Sequence, residues 1–184
     1  MSESKQQVKL LQWLAVALFF QLIYLNVFKY ANLVQDILVY GAYLKSLSFY
    51  KEKAPIKTYM ACAMMITLMS TIFSFHLLFY WSTVLIQGIE LLMIMEFGKI
   101  LLSIEQKHDV QSSTTRVMKK YIAISFAVII SWTLLMNVTS DWQMGLLFLG
   151  ALLLLAVNLR LFLHVLALRK HVKNKSFVVT YLQK

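Results

Sequence analysis

Cysteine is nearly absent from this sequence. With Cys62 alone, no intrachain disulfide can form and no thiolate metal site can be assembled within one chain. Set inside an apolar run, Cys62 reads as a small buried hydrophobe. Proline is equally scarce: the one proline, Pro55, stands in a polar connector, where it can mark a boundary and open the next helix. Five glycines in 184 residues leave no glycine-rich phosphate loop and argue against the broken helices of many secondary transporters. Charged residues make up 14% of the chain, too few to solvate a soluble domain of this length. Acid is the scarcest, with 8 Asp and Glu against 18 Lys and Arg and a net charge of +10. No nucleophile stands at a recognisable spacing from a base, and there is no zinc spacing or metalloprotease helix pair. No catalytic residue, metal or cofactor is therefore expected.

What the sequence does have is apolar length. Hydrophobic residues are 60% of the chain, and they recur in runs close to the ~20 residues that cross a bilayer. The reading is an all-α integral membrane protein, a single polytopic domain over residues 1–184, with its first helix retained. The basic residues flank apolar runs instead of interleaving with aromatics on a soluble surface, which excludes nucleic acid as the partner and points to topology signals and anionic lipid headgroups.

Six spans are expected, at about residues 8–28, 31–49, 56–78, 80–102, 118–136 and 142–168, with a polar loop at 103–117, whose alternative is a helical extension of the fourth span, and a basic tail at 169–184. The second is the least apolar, but Lys29, Asn32, Asp36, Tyr40 and Tyr43 fall at three- and four-residue steps, one helical stripe that can face a bundle interior. The stretch between Ile56 and Leu102 is too long for one span and must reverse, and Tyr80 and Trp81 suit a headgroup-level belt that places the turn near His76 to Thr83. With both termini cytoplasmic, all of the 18 basic residues except Lys29 and Arg160 lie inside, as the positive-inside rule favours. Five spans would strand Lys45, Lys51, Lys53 and Lys57 outside. Asn137-Val-Thr139 matches a glycosylation sequon in a turn too short for its use.

The polar groups within these runs are the candidate site. Counting ~1.5 Å per residue from the span ends puts Glu90 near the midplane, Glu96, Arg160 and His164 in the inner half, and Asp36 and His76 in the outer half. Thr83, Gln87 and Glu90 share a helix face with Asp36 at neighbouring depth, a polar track for a proton or cation. A carboxyl buried without a formal partner is expected to hold its proton, the state a proton carrier needs for part of its cycle; the structural alternative is a fixed hydrogen bond to Gln21, Tyr40 or Tyr43. Glu96 and Arg160 have similar depth and are a candidate interhelical ion pair, most simply one that fixes register. Arg160, His164 and His171 form a stripe reaching towards lipid phosphate. A bis-histidine haem is excluded, because His76 and His164 lie roughly 20 Å or more apart along the normal.

Three functional classes follow. The first is a non-catalytic binding, sensing or accessory subunit of a membrane complex, paired with another membrane protein or with itself, in a bacterial cytoplasmic membrane. The second is a small proton- or cation-coupled transporter or channel built on Glu90. The third is an immunity protein against a membrane-active toxin.

Overall fold

The structure, a computed structural model, describes residues 3–23, 31–50, 55–73, 76–109, 113–135 and 142–182. These form six α-helices and no strand: α1 (Glu3–Leu22), α2 (Ala31–Leu47), α3 (Ile56–Phe73), α4 (His76–Lys107), α5 (Thr114–Leu135) and α6 (Trp142–Leu182). Each packs on its neighbour in sequence, and α6 returns to pack on α1, so the bundle closes as a ring with its lightest contact between α2 and α3.

The helix ends differ from the expected span ends, for a physical reason. The reversal between the third and fourth runs falls before His76, because α4 already begins there. At its other end α4 continues through residues 103–107, the helical extension that was the alternative to a loop there. Likewise α6 runs through the basic tail to Leu182. Lys, Glu and Gln are good helix formers, so charge ends an apolar run without ending a helix. The end of the first run, Lys29, the residues 51–54 and the Asn137-Val-Thr139 turn lie outside the described residues.

Two boundaries have visible chemistry. The Pro55 carbonyl accepts the first bonds of α3, from Thr58 N at 3.0 Å and Tyr59 N at 3.2 Å; a ring that fixes φ and lacks an N–H costs nothing there. After α4, His108 N still bonds Ile104 O at 3.1 Å, and Asp109 then turns left-handed at φ 48°. Asp is one of the few residues that tolerate this conformation.

The core is aliphatic around one aromatic pair: Tyr43 and Phe97 are fully buried and their rings stack at 5.0 Å. Two glycines bring helices close. A Cβ on Gly98 would stand 2.6 Å from the Met118 methyl, and one on Gly150 would stand 2.6 Å from Trp132 Nε1. On α3 the buried stripe is Met60, Ala63 and Thr67. Cys62 falls off that stripe and is exposed, which corrects its reading as a buried residue.

The surface is unusual for a bundle in water. All six helices carry exposed large apolar side chains, among them Phe19, Ile37, Met65, Leu92, Phe126 and Phe148. Among the described residues, two helical segments, Thr114–Leu135 and Gly145–Lys175, are long and apolar enough to cross a membrane.

Candidate functional site

The interior polar groups converge on Glu90 of α4. Gln21 Nε2, one residue before the end of α1, donates to Glu90 Oε2 at 3.2 Å. The Tyr40 hydroxyl of α2 donates to Glu90 Oε1 at 3.3 Å. Tyr43, one turn further along α2, donates to Gln21 Oε1 at 3.0 Å, so three helices share one chain of hydrogen bonds. That chain exists because the α2 stripe faces inward: Tyr40 and Tyr43 are buried and Asp36 is half-buried. Asp36 accepts from Thr67 Oγ1 of α3 at 2.9 Å and is close enough to Glu90 for the two carboxyls to interact. Among the described residues neither carboxyl pairs with a cation.

Thr83 and Gln87 stand half-buried on the turns of α4 before Glu90, on the face expected for the track. Two members of the cluster escaped the sequence reading. Tyr121 of α5 is buried and near enough to Glu90 to interact, and its hydroxyl donates to Asn158 Oδ1 of α6 at 3.0 Å. Asn158 was detectable as an amide inside the sixth apolar run. Tyr121 gave no signal, since tyrosine at a span end reads as a belt residue.

The structure does not bring Glu96 and Arg160 together. Glu96 pairs with Lys99 on its own helix at 2.5 Å, and Arg160 is exposed on α6. Depth counting gave the level of each residue but not the direction it faces around its helix. The Arg160, His164 and His171 stripe also divides: Arg160 and His171 are exposed, whereas His164 is half-buried, with Nε2 2.6 Å from Thr114 Oγ1 and Nδ1 3.2 Å from Ser113 Oγ.

His164 belongs to a second polar centre, where α4, α5 and α6 meet. Its anchor is Glu105, 1% exposed, which the sequence reading left in a solvated loop. The Glu105 carboxylate accepts from Ser113 N at 3.0 Å and from Thr114 N at 3.1 Å. It thus caps the first amides of α5 from a neighbouring helix. Beside it, Lys107 pairs with Glu3, His108 Nε2 lies 2.6 Å from Gln7 Oε1, and Lys175 donates to the His108 carbonyl. Partial burial, with Lys175 and Lys107 nearby, lowers the His108 pKa from its ordinary value. Among the described residues no three His, Cys, Asp or Glu converge as a metal-ligand set.

No protein-family profile, no curated protein and no solved structure matches this chain.

Proposed function

We propose that this chain is a six-span membrane protein that takes up a proton or small cation at Glu90 and Asp36, as a small coupled transporter or channel. The membrane part of the reading is supported by the surface. A long apolar helix in a soluble protein is a core helix and is mostly buried, yet only 28% of the α5 segment and 17% of the α6 segment is buried. Every helix exposes large apolar side chains, whose contact with water a soluble monomer keeps to small patches, and a bilayer removes its cost. With six crossings both termini share the cytoplasmic side with the basic residues.

The observation that carries the site is the pair of carboxyls, Glu90 and Asp36, near enough to interact and, among the described residues, paired with no cation. Like charges close together in a low-dielectric interior disfavour each other, and such a pair favours uptake of a proton or a cation. Tyr40 and Gln21 donate to the two Glu90 oxygens and Tyr43 donates to Gln21, which holds the carboxyl in one position at the meeting of three helices.

A second reading, the non-catalytic accessory subunit, is favoured by a different fact: both oxygens of Glu90 are already engaged by donors, as in a group that only fixes register. Proteoliposomes with a trapped pH dye separate the two. Under an imposed pH gradient the wild type should dissipate it, and Glu90→Gln should slow dissipation at least tenfold with helicity unchanged. Equal rates for the two would sink the proton reading, and an inert wild type would favour the accessory subunit.

A further inference from the structure

What faces the two interior carboxyls decides what they can take up. Gln21 Nε2 and the Tyr40 hydroxyl point hydrogens at the two Glu90 oxygens, at 3.2 and 3.3 Å, and the Thr67 hydroxyl points one at Asp36 Oδ2 at 2.9 Å. The Gln21 amide is held that way round. Tyr43 is fully buried and its hydroxyl donates to Gln21 Oε1 at 3.0 Å; with the amide turned over, that hydroxyl would lose the acceptor it has among the described residues.

A metal cation needs the opposite arrangement. It is held by oxygen lone pairs, about six or more of them for magnesium and calcium, and membrane sites for small cations recruit such oxygens from unwound backbone. Here α2, α3, α4 and α5 run unbroken past the carboxyls, so their carbonyls are committed to helical hydrogen bonds. Helix α1 does end beside the site, but its Phe20 carbonyl already accepts from Gln35 Nε2 at 3.2 Å and from Ile23 N at 3.3 Å. Among the described residues no His, Cys, Asp or Glu completes a metal-ligand set with the pair.

A proton asks for less. While Glu90 is ionised both of its donors are matched; once it is protonated, the new O–H needs an acceptor, and a phenol accepts as well as donates. Tyr40 can therefore turn its own hydrogen towards Asp36, one turn earlier on α2 and close enough to interact with it, and accept from Glu90. The titratable groups around Glu90 are Asp36, Tyr40 and Tyr43 of α2 and Tyr121 of α5. Helix α1 contributes the neutral Gln21, α3 the neutral Thr67 on Asp36, and α6 the neutral Asn158 on Tyr121. Resting on the uptake reading, we infer that the ion taken up by the Glu90–Asp36 pair is the proton and not a metal cation, with the Tyr40 hydroxyl reversing from donor to acceptor as Glu90 becomes neutral. The step is a protonation: hydronium gives its proton to a carboxylate oxygen, one O–H bond breaks and one forms, water leaves, and nothing is oxidised.

Infrared difference spectra test this directly, because a protonated carboxyl shows a carbonyl band that an ionised one lacks. The full chain in lipid nanodiscs is recorded at high and low pH, and then at fixed pH with saturating sodium, potassium, magnesium or calcium against choline. Lowering the pH should raise a protonated-carboxyl band that falls at least twofold in Glu90→Gln, together with a tyrosine C–O change that is lost in Tyr40→Phe. The four metal cations should leave the carboxylate bands where choline leaves them. A carboxylate shift with any of the four overturns the inference, and this arm needs only the wild type, so it stands even where a variant folds poorly. An acid-induced band of equal size in wild type and Glu90→Gln overturns it too, and a tyrosine change that survives in Tyr40→Phe overturns the role of Tyr40. Failure of the transport reading looks different: the Glu90 band appears, but wild-type vesicles hold their pH gradient, and the proton assignment then stands without the flux.

Discussion

Glu90 and Glu105 are both acidic side chains on α4, and what faces each one decides its role. Glu105 faces backbone amides at the start of α5, fixed donors that ask for a permanent acceptor. Removing it leaves Thr114 N, in a buried residue, without a partner. Glu105→Ala should therefore cost about 2 kcal/mol, in the range of a lost helix cap. Glu105→Gln, which keeps one acceptor oxygen, should cost less. The thermal midpoint of the solubilised protein reads both, and an unchanged midpoint in Glu105→Ala would show that water caps α5 equally well. Glu90 faces side-chain donors and a second carboxyl, a setting that can change its proton count.

His108 provides the pH dependence at this scale. It faces Gln7 and Glu3 of α1, Lys107 of its own helix and Lys175 of α6. Its folded pKa lies below the ordinary value near 6.5, so the unfolded chain binds the extra proton first. The neutral ring's contribution to stability is complete above pH 6.5 and is lost as pH falls from there through the folded pKa. His108→Gln should flatten the fall of the thermal midpoint on acidification below pH 6.5; a slope equal to the wild type's would place that titration elsewhere.

At the scale of elements, helix identity was legible and helix length was not. The α2 stripe could be read because Asp36, Tyr40 and Tyr43 repeat at helical spacing, and the same periodicity pointed to Glu90's partners on α1 and α2. The extension of α6 through charged residues was hidden and that of α4 was left open between loop and helix, since apolar runs report where water begins and not where the backbone stops coiling. Direction around a helix was hidden too, which is why Arg160 was matched with Glu96 on level alone. Helix approach was equally invisible, because a glycine letter does not say what faces it. Gly150→Ala would force a methyl against the Trp132 ring and should cost about 1–3 kcal/mol. Gly41→Ala meets nothing within 4 Å and should stabilise α2 by up to about 1 kcal/mol. An unchanged or raised thermal midpoint for Gly150→Ala would contradict this packing of α5 on α6, and a lowered one for Gly41→Ala would contradict the open space at α2.

At the scale of the whole molecule, the ring order places the N-terminus of α1, the C-termini of α2, α4 and α6, and the N-termini of α3 and α5 at one end. Lys5, Lys57, Lys107, Lys120 and Lys170 belong to that end and are exposed. The described flanks of the helices are rich in exposed apolar side chains. This asymmetry was present in the sequence as the spacing of lysines between apolar runs, and the chain reversals turn it into a polar cap on an apolar body. Six crossings with that cap in the cytoplasm is the arrangement on which the Glu90 reading depends.

Thiol accessibility tests that arrangement most directly. With Cys62→Ser as background, single substitutions Lys5→Cys, Lys57→Cys, Lys120→Cys and Lys170→Cys are probed with a membrane-impermeant maleimide in intact cells and in inverted membrane vesicles. All four should react in inverted vesicles and none in intact cells. Labelling of any one of them in intact cells, or recovery of the protein in the soluble fraction, would contradict the six-span arrangement.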